Sequence, residues 1–191
     1  MKDFINFLCK KTFVKPSNDI FDKQITQYAL ASTIQDVQFH FPELNGTDIT
    51  NRIFSNCNEL VIFLYRLGSG IWQKNKQSDS LRVIHWLMRE LCGAEIYYSC
   101  QIDEGFYIVH GIGTIIAAEV KIGKGFTIYS NSVVMRDCLI GSNVKMYTGS
   151  LVKNNLEIGD HVTIGANTVI TKNVPNNIII YGNPNIVRPN D

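Results

Sequence analysis

One histidine lies at the only break in a six-residue repeat of aliphatic side chains. Ile102 and Ile108 are six positions apart, the next equivalent residue, Ile116, follows after eight, and the interval of six resumes at Ile122. Two surplus residues do not fit a regular face, so we expect them to bulge outward and carry the His110 side chain away from the packed wall. Neutral imidazole readily accepts a proton near neutral pH, so His110 is the candidate general base.

The other histidines are weaker candidates for a catalytic role. His161 stands three places after Ile158 in regular register, where we expect a solvated turn residue, because histidine shares the tolerance of asparagine for a left-handed backbone. His40 and His85 fall in the first half of the chain, where we expect structural or exposed roles.

The repeat around His110 predicts short strands separated by forced corners. Its inward positions after the break are Ile122, Ile128, Val134, Ile140, Met146, Val152, Ile158, Ile164 and Ile170. Three places after them stand Gly125, Asn131, Asp137, Asn143, Gly149, Asn155, His161, Asn167 and Asn173. These corner residues are mostly of the types that best tolerate a left-handed backbone. Such coils stack, each burying its aliphatic side chains on the next.

Before about residue 92 the apolar pattern is helical. Asn58 or Glu59 is expected to open a helix through the segment LVIFLYRL that ends at Gly68 and Gly70, and Ser80 is expected to cap another. We therefore predict an α+β protein. Its predicted parts are a helical domain at 1–92, a β-helix at 93–180 and a carboxy-terminal tail at 181–191.

Composition and charge limit the class of protein. The chain has 191 residues, 45% hydrophobic and 18% charged, which is typical of a soluble globular protein. Its net charge of +1 gives no overall field that points to nucleic acid or to an anionic membrane. Five cysteines without a CxxC pair argue against a disulfide framework or a zinc knuckle. Because no signal peptide or bilayer-spanning apolar run is present, we expect a cytoplasmic protein.

The repeat has the form aliphatic-Gly-x-x-small-x and covers roughly residues 93–188. It resembles the hexapeptide-repeat acyltransferases, whose fold is a left-handed parallel β-helix with three hexapeptides per coil. The segment HGIGTIIAAEVKIG at 110–123, after a helical domain, is similar to the serine acetyltransferase branch and its relatives in polysaccharide biosynthesis. The resemblance implies acetyl transfer from acetyl-CoA to a hydroxyl without a metal. It also implies a homotrimer with active sites between subunits, and a dimer of trimers as a larger assembly.

The resemblance also implies roles for individual residues. The family motif His-x-x-Gly-aliphatic-aliphatic is matched by His110 and Gly113, with Thr114 replacing one aliphatic. An acidic residue fifteen positions before the histidine, here Glu95, holds the other ring nitrogen in the resembling enzymes, in the manner of the hydrolase triad. The residues implied to bind CoA are Thr148, Gly165, Ala166, Lys172, Pro184 and Arg188. For the basic side chains among them, a polar carboxy-terminal tail is the alternative interpretation.

Two departures weaken the match to enzymes that acetylate serine. Those enzymes carry an aspartate immediately before the histidine, where this chain has Val109, and a loop with an Arg-His pair, where this repeat is uninterrupted. A zwitterion would leave both charges poorly compensated, at a cost of several kcal/mol. We therefore predict a saccharide acceptor in surface polysaccharide synthesis, with serine O-acetylation as the alternative.

A third hypothesis is a metal-binding β-helix like the gamma-type carbonic anhydrases. Such a site needs three histidine ligands, including a closely spaced pair. The repeat contains only His110 and His161, which are 51 residues apart, so this hypothesis is the weakest.

Overall fold

The computed structural model describes residues 1–183 and 186–189, and helices occupy its first half. A short 3₁₀ helix, Asn18–Phe21, precedes the second of five α-helices. The α-helices are α1 (Lys2–Cys9), α2 (Lys23–His40), α3 (Gly46–Ser55), α4 (Cys57–Lys74) and α5 (Asp79–Cys92). None of the described helices is long and apolar enough to cross a membrane.

The central helix α4 corrects two predictions. It does not end at Gly68 and Gly70 but continues to Lys74. These glycines instead allow close packing: a Cβ on Gly68 would lie 3.3 Å from the Cβ of Tyr98, and a Cβ on Gly70 would lie 3.0 Å from Ile25 Cγ2. The helix begins at Cys57, one residue before the predicted opening.

The predicted cap of α5 is also wrong. Ser78, not Ser80, caps this helix and accepts a hydrogen bond from the Ser80 N–H. The Ser80 hydroxyl is buried, and it donates to a carboxylate oxygen of Asp19 at 2.6 Å. Ser80 is distinguished from the capping Ser78 by its bond to Asp19, a distant residue that the local sequence pattern does not reveal.

The second half is a left-handed parallel β-helix, as predicted. Most of its strands have two residues. The strands are β1 (Glu95–Ile96), β2 (Gln101–Ile102), β3 (Tyr107–Val109), β4 (Ile115–Ile116), β5 (Lys121–Ile122), β6 (Thr127–Tyr129), β7 (Val133–Val134), β8 (Leu139–Ile140), β9 (Lys145–Met146), β10 (Leu151–Val152), β11 (Glu157–Ile158), β12 (Thr163–Ile164), β13 (Val169–Ile170), β14 (Ile178–Tyr181) and β15 (Ile186–Pro189). They form three sheets, in the orders β1-β4-β7-β10-β13, β11-β8-β5-β2 and β15-β14-β12-β9-β6-β3.

The register of the sheets explains the six-residue repeat. Ile108 aligns with Ile128, and Ile128 aligns with Met146, so every third hexapeptide returns to the same face. The aliphatic side chains at these inward positions are buried and form a continuous core. Because most strands have only two residues, the chain changes direction at the corners between them.

Corner residues adopt the left-handed backbone that their types predict. The non-glycine residues of the repeat with positive φ are His110, Glu119, Asn131, Asp137, Asn143, Asn155, His161, Asn167 and Asn177. Many corner N–H groups donate to a carbonyl of the preceding coil, as in Asn131 to Ile112 at 2.9 Å. Asn173 does not adopt positive φ; its side chain instead accepts from the Glu157 N–H at 3.0 Å.

The two halves are joined by buried polar contacts. The Arg66 guanidinium pairs with Asp36 at 2.8 Å and donates to the carbonyl of Ile102 at 2.5 Å. In turn, one Asp36 carboxylate oxygen accepts from the N–H groups of Gly105 and Phe106, at 2.9 and 3.1 Å. Because charges and backbone groups are satisfied together, this junction ties the helices to the first coil.

The chain ends in a hairpin rather than a further coil. β14 pairs in parallel with β12, and β15 turns back to pair antiparallel with β14. The antiparallel strand β15 covers the β14 edge of this one sheet.

Candidate active site

His110 lies in the corner between β3 and β4, where the repeat gains two residues. Its φ is 51°, in the left-handed region, and its side chain is exposed. Gly113, three residues on, has φ 74° and takes the regular corner position, because its N–H donates to the carbonyl of Gly93 at 2.8 Å. The surplus therefore forms a second left-handed bend on the outside of the coil. Within the described residues, the His110 imidazole makes no hydrogen bond or ion pair.

Glu95 lies in β1, and its carboxylate faces α5. One oxygen is 3.3 Å from His85 Nε2 and the other is 3.7 Å from Arg89 Nε. Burial and the Glu95 carboxylate raise the pKa of the nearby Tyr97. The structure thus does not pair Glu95 with His110, and it brings His85, expected to be structural or exposed, to this carboxylate. Sequence spacing gave no sign of the partner, because α5 reaches Glu95 through tertiary packing.

A column of small side chains runs down the same corner beneath His110. The strand register places Ser130, Thr148 and Ala166 one coil apart at successive levels. The hydroxyls of Ser130 and Thr148 are 3.5 Å apart. With coils stacked at about 4.8 Å, the column extends roughly 15 Å from His110 to Ala166.

Aromatic side chains and a glycine flank this column. Tyr129 and Tyr147 stack with ring centroids 4.9 Å apart, and Gly165 occupies the next level. The predicted CoA residues Thr148, Gly165 and Ala166 therefore share one corner with His110. This corner therefore presents small side chains in a column, with two stacked aromatic rings beside them.

The remaining predicted CoA residues lie elsewhere. Lys172 is exposed but follows β13, so it lies at the next corner of the coil and not beneath His110. For Arg188 the structure describes the backbone, which pairs with Ile179 in the terminal hairpin. Pro184 lies outside the described residues.

The amino-terminal end of α4 contacts the bulge from the helical side. The side-chain oxygen of Asn58 accepts a hydrogen bond from the Gly111 N–H at 3.2 Å. The next residue, Glu59, is fully buried and pairs with Arg52 at 2.6 Å. Burial and the Glu59 carboxylate raise the pKa of Tyr107 in β3. The sequence pattern predicted for Asn58 and Glu59 only a role in opening the helix.

Other aromatic side chains of the first coil face the helices. Tyr98 lies 5.2 Å from Trp72, and Phe106 packs edge-on against Tyr65 at 6.0 Å, measured between ring centroids. In the part of the chain that the structure describes, no three His, Cys, Asp or Glu side chains converge as metal ligands.

Comparisons with known proteins bear on the β-helix first. Residues 137–172 match the family described as bacterial transferase hexapeptide (six repeats). A search of the curated proteins found no match. The family match agrees with the repeat predicted from the sequence.

Solved structures of serine acetyltransferases share the fold. The Neisseria gonorrhoeae enzyme aligns with a TM-score of 0.74 at 16% identity, over 91% of this chain and 72% of that one. Isoform 3 from Entamoeba histolytica, in complex with cysteine, aligns with a TM-score of 0.66 at 20% identity, over 86% of this chain. A serine acetyltransferase in complex with CoA aligns with a TM-score of 0.65 at 17% identity, over 88% of this chain and 71% of that one.

The alignments cover both halves of this chain. The chain spans 59% of the Entamoeba histolytica isoform 3 structure. The predicted resemblance to the hexapeptide-repeat acyltransferases, in their serine acetyltransferase-like branch, is confirmed at the level of repeat and fold.

Proposed function

We propose that this chain is an acetyl-CoA-dependent O-acetyltransferase that uses His110 as its general base. The observation that carries the proposal is the exposed imidazole on a left-handed bulge, at the head of a column of small side chains. An exposed imidazole is accessible to two reactants, and the column beneath it offers a path for one of them.

The chemistry needs one proton acceptor. His110 takes the proton of the acceptor hydroxyl as its oxygen attacks the thioester carbonyl carbon. The tetrahedral intermediate then collapses, the carbon–sulfur bond breaks, and the imidazolium returns the proton to the departing CoA thiolate. The products are the acetyl ester and CoA, with the imidazole neutral again.

The column of small side chains suits the donor. Pantetheine is a long, narrow chain, and the roughly 15 Å column from His110 to Ala166 has side chains small enough to let it lie close to the coil. Thr148 is exposed and supplies a hydroxyl beside this path. We propose that Lys172 and Arg188 bind the CoA phosphates, and that Pro184 and Gly165 form part of the surface against which CoA lies.

L-Serine is the acceptor that the comparisons favour. The structural matches are serine acetyltransferases, and they include the helical half as well as the β-helix.

A saccharide hydroxyl is the second candidate, and the residues beside His110 favour it. Val109 is half-buried and pairs with Tyr129, so no carboxylate precedes the base to meet an ammonium group. The coils from β5 to β13 continue without an inserted loop that would hold a carboxylate. A neutral acceptor avoids the several kcal/mol that uncompensated charges cost. This activity would belong to surface polysaccharide synthesis in the cytoplasm.

One assay tests the activity and separates the acceptors. CoA thiol release from acetyl-CoA is followed with L-serine and with a panel of sugars and oligosaccharides, using wild type and His110→Ala. Turnover of serine within tenfold of the best acceptor would assign serine O-acetylation, and turnover confined to sugars would assign the saccharide activity. His110→Ala turning over as fast as wild type would overturn the proposed base.

Two parts of the proposal concern residues and assembly. For Glu95 to orient His110, its carboxylate must turn away from His85 and Arg89. With Glu95 in that role, Glu95→Gln should lower kcat by about tenfold. We also propose a homotrimer in which a neighbouring subunit completes the donor site, with a dimer of trimers as the larger assembly. Light scattering after gel filtration gives the mass, and a monomer with full activity would contradict the shared site.

A further inference from the structure

The bulged corner is held by a residue from the other half of the chain. Asn58, in the first turn of α4, accepts a hydrogen bond from the N–H of Gly111, the residue that follows His110. The regular corner bond is kept here, because the Gly113 N–H donates to the carbonyl of Gly93 in the preceding coil at 2.8 Å. The additional amide of the bulge, that of Gly111, is bound instead by a side chain from α4.

Gly111 has little freedom to move. It is buried, and a Cβ on it would lie 2.6 Å from Ile108 Cγ2. Its carbonyl accepts a hydrogen bond from the Thr114 N–H at 3.1 Å. With its N–H bound to Asn58 as well, both polar groups of this residue are fixed.

Asn58 is itself anchored. Its backbone N–H donates to the side chain of the capping residue Asn56 at 3.0 Å. The adjacent Glu59 is fully buried, and Arg52 donates to its carboxylate at 2.7 Å. The acceptor on Asn58 therefore belongs to the capped first turn of a helix and not to a loop.

The left-handed conformation of His110 needs such support. A non-glycine residue pays roughly 1 kcal/mol or more to adopt positive φ, so an unsupported bulge would relax toward other backbone conformations. His110 has φ 51°, and the next amide is the one that Asn58 holds. A displacement of the imidazole by about 1 Å is enough to lower a rate by up to 10²-fold.

We propose that Asn58 is a positioning residue that fixes the His110 imidazole in its reactive orientation by bonding the Gly111 amide. The inference rests on the proposed function, since it concerns the same base. It assigns the helical half a part in catalysis: the start of α4 locks the bulge that carries the imidazole. Asn58 acts through the backbone and need not touch either substrate.

Three variants test this role. Asn58→Ala removes the acceptor, and Asn58→Asp keeps an acceptor for the Gly111 amide but adds a negative charge against the residue that follows His110. Tyr65→Phe is the matched control, because the Tyr65 hydroxyl also bonds the first coil, at the carbonyl of Cys100 (3.1 Å) and the N–H of Ile102 (3.2 Å), away from His110.

The expected results differ among the variants. Asn58→Ala should lower kcat by about tenfold or more, with KM for acetyl-CoA changed less than twofold. Asn58→Asp should keep most of kcat and move the acid limb of the pH–rate profile upward by about half a unit, because the carboxylate favours the imidazolium. Tyr65→Phe should lower the melting temperature without altering kcat or the profile.

A second readout does not depend on turnover. The imidazole Cε1–H resonance of His110 is assigned by its loss in His110→Ala and titrated in each variant. We expect a higher titration midpoint in Asn58→Asp and an unchanged midpoint in Tyr65→Phe.

The outcomes separate this inference from the proposed function. If Asn58→Ala retains wild-type kcat, or if Asn58→Asp loses as much kcat as Asn58→Ala, Asn58 does not position the base by accepting from the Gly111 amide. An equal loss of kcat in Asn58→Ala and Tyr65→Phe would also overturn the inference, since it would reflect packing between the halves alone. Full activity of His110→Ala would instead overturn the proposed function.

Discussion

His110 and His161 occupy two corners of one β-helix that share a backbone conformation but differ in what holds them. Both are exposed, and their φ angles are 51° and 55°. His161 belongs to a coil of regular spacing, and its N–H donates to the carbonyl of Ser142 at 2.8 Å. His110 stands on a two-residue surplus, and the amide after it bonds to Asn58 of α4.

The comparison separates residue type from context. A left-handed histidine is an ordinary corner residue, because histidine belongs to the types enriched at positive φ. What distinguishes His110 is the extra bend outside the coil and the helix end packed against it. The break in the repeat, and not the histidine alone, marks the candidate site.

The largest expected difference between the two corners is catalytic. His110→Ala should lower kcat by about 10³-fold, because a general base contributes 10²–10⁴-fold. His161→Ala should leave kcat within about twofold, since that side chain lies at a regular corner. Steady-state rates of CoA release measure both, with far-UV circular dichroism and particle mass as controls for folding and assembly. Equal losses in the two variants would remove the distinction between the corners.

The next expected effect concerns the backbone of the bulge. Gly111→Ala places a Cβ 2.6 Å from Ile108 Cγ2, so the corner must shift or the core must open. We expect a loss of about 1–3 kcal/mol in unfolding free energy, together with a fall in kcat. Urea unfolding at one protein concentration and the CoA release assay measure the two effects.

A matched glycine provides the control for that substitution. A Cβ on Gly46, at the start of α3, would meet Ile34 Cδ1 at 3.5 Å, which is ordinary contact. Gly46→Ala should therefore leave both stability and kcat nearly unchanged. If Gly111→Ala behaves like this control, the bulge is looser than its contacts indicate.

The regular coils were predictable because their pattern is local. An aliphatic residue every six positions, followed three places later by a residue that tolerates positive φ, determines both the buried face and the corner. Asn131 and Asn167 adopt the predicted conformation for this reason. The same rule identified the bulge at His110, since a surplus of two is visible in spacing alone.

Long-range packing explains what the sequence did not reveal. Gly68 looked like the end of a helix, but it lies against Tyr98 in the first coil. The family resemblance implied that Glu95 pairs with His110, whereas helix α5 brings His85 to the Glu95 carboxylate. The contact of Asn58 with Gly111 joins residues 53 positions apart, and no periodicity links them.

A smaller effect tests the regular corner through stability. His161 has φ 55°, and alanine there keeps the cost of a left-handed backbone while losing the side chain. We expect His161→Ala to be about 1 kcal/mol less stable than His161→Gly, because glycine adopts positive φ freely, although its more flexible unfolded chain offsets part of that gain. Urea unfolding of both variants at equal concentration provides the comparison. Alanine being the more stable of the two would show that the corner does not enforce the left-handed conformation.

The smallest expected effect is a difference in thiol reactivity between one cysteine near the bulged corner and one within the regular coils. Cys57 is exposed at the start of α4, directly before Asn58, whereas Cys138 is buried within the regular coils, and burial raises the pKa of its thiol. Burial also raises the pKa of Cys100 to about 12 and that of Cys92 to about 12. Since only the thiolate reacts, a raised pKa leaves these thiols unreactive near pH 8 and reactive only as the pH increases.

Iodoacetamide at pH 8 should therefore add first to Cys57, with intact mass and peptide mapping as the readout. The half-buried Cys9, whose pKa is also raised by burial, should follow more slowly. Cys57→Ser should abolish the fast adduct, and Cys138→Ser should leave it unchanged. Rapid labelling of Cys138 in the folded protein would mean that the regular coils open readily, because a buried thiol reacts only when its coil separates from its neighbours.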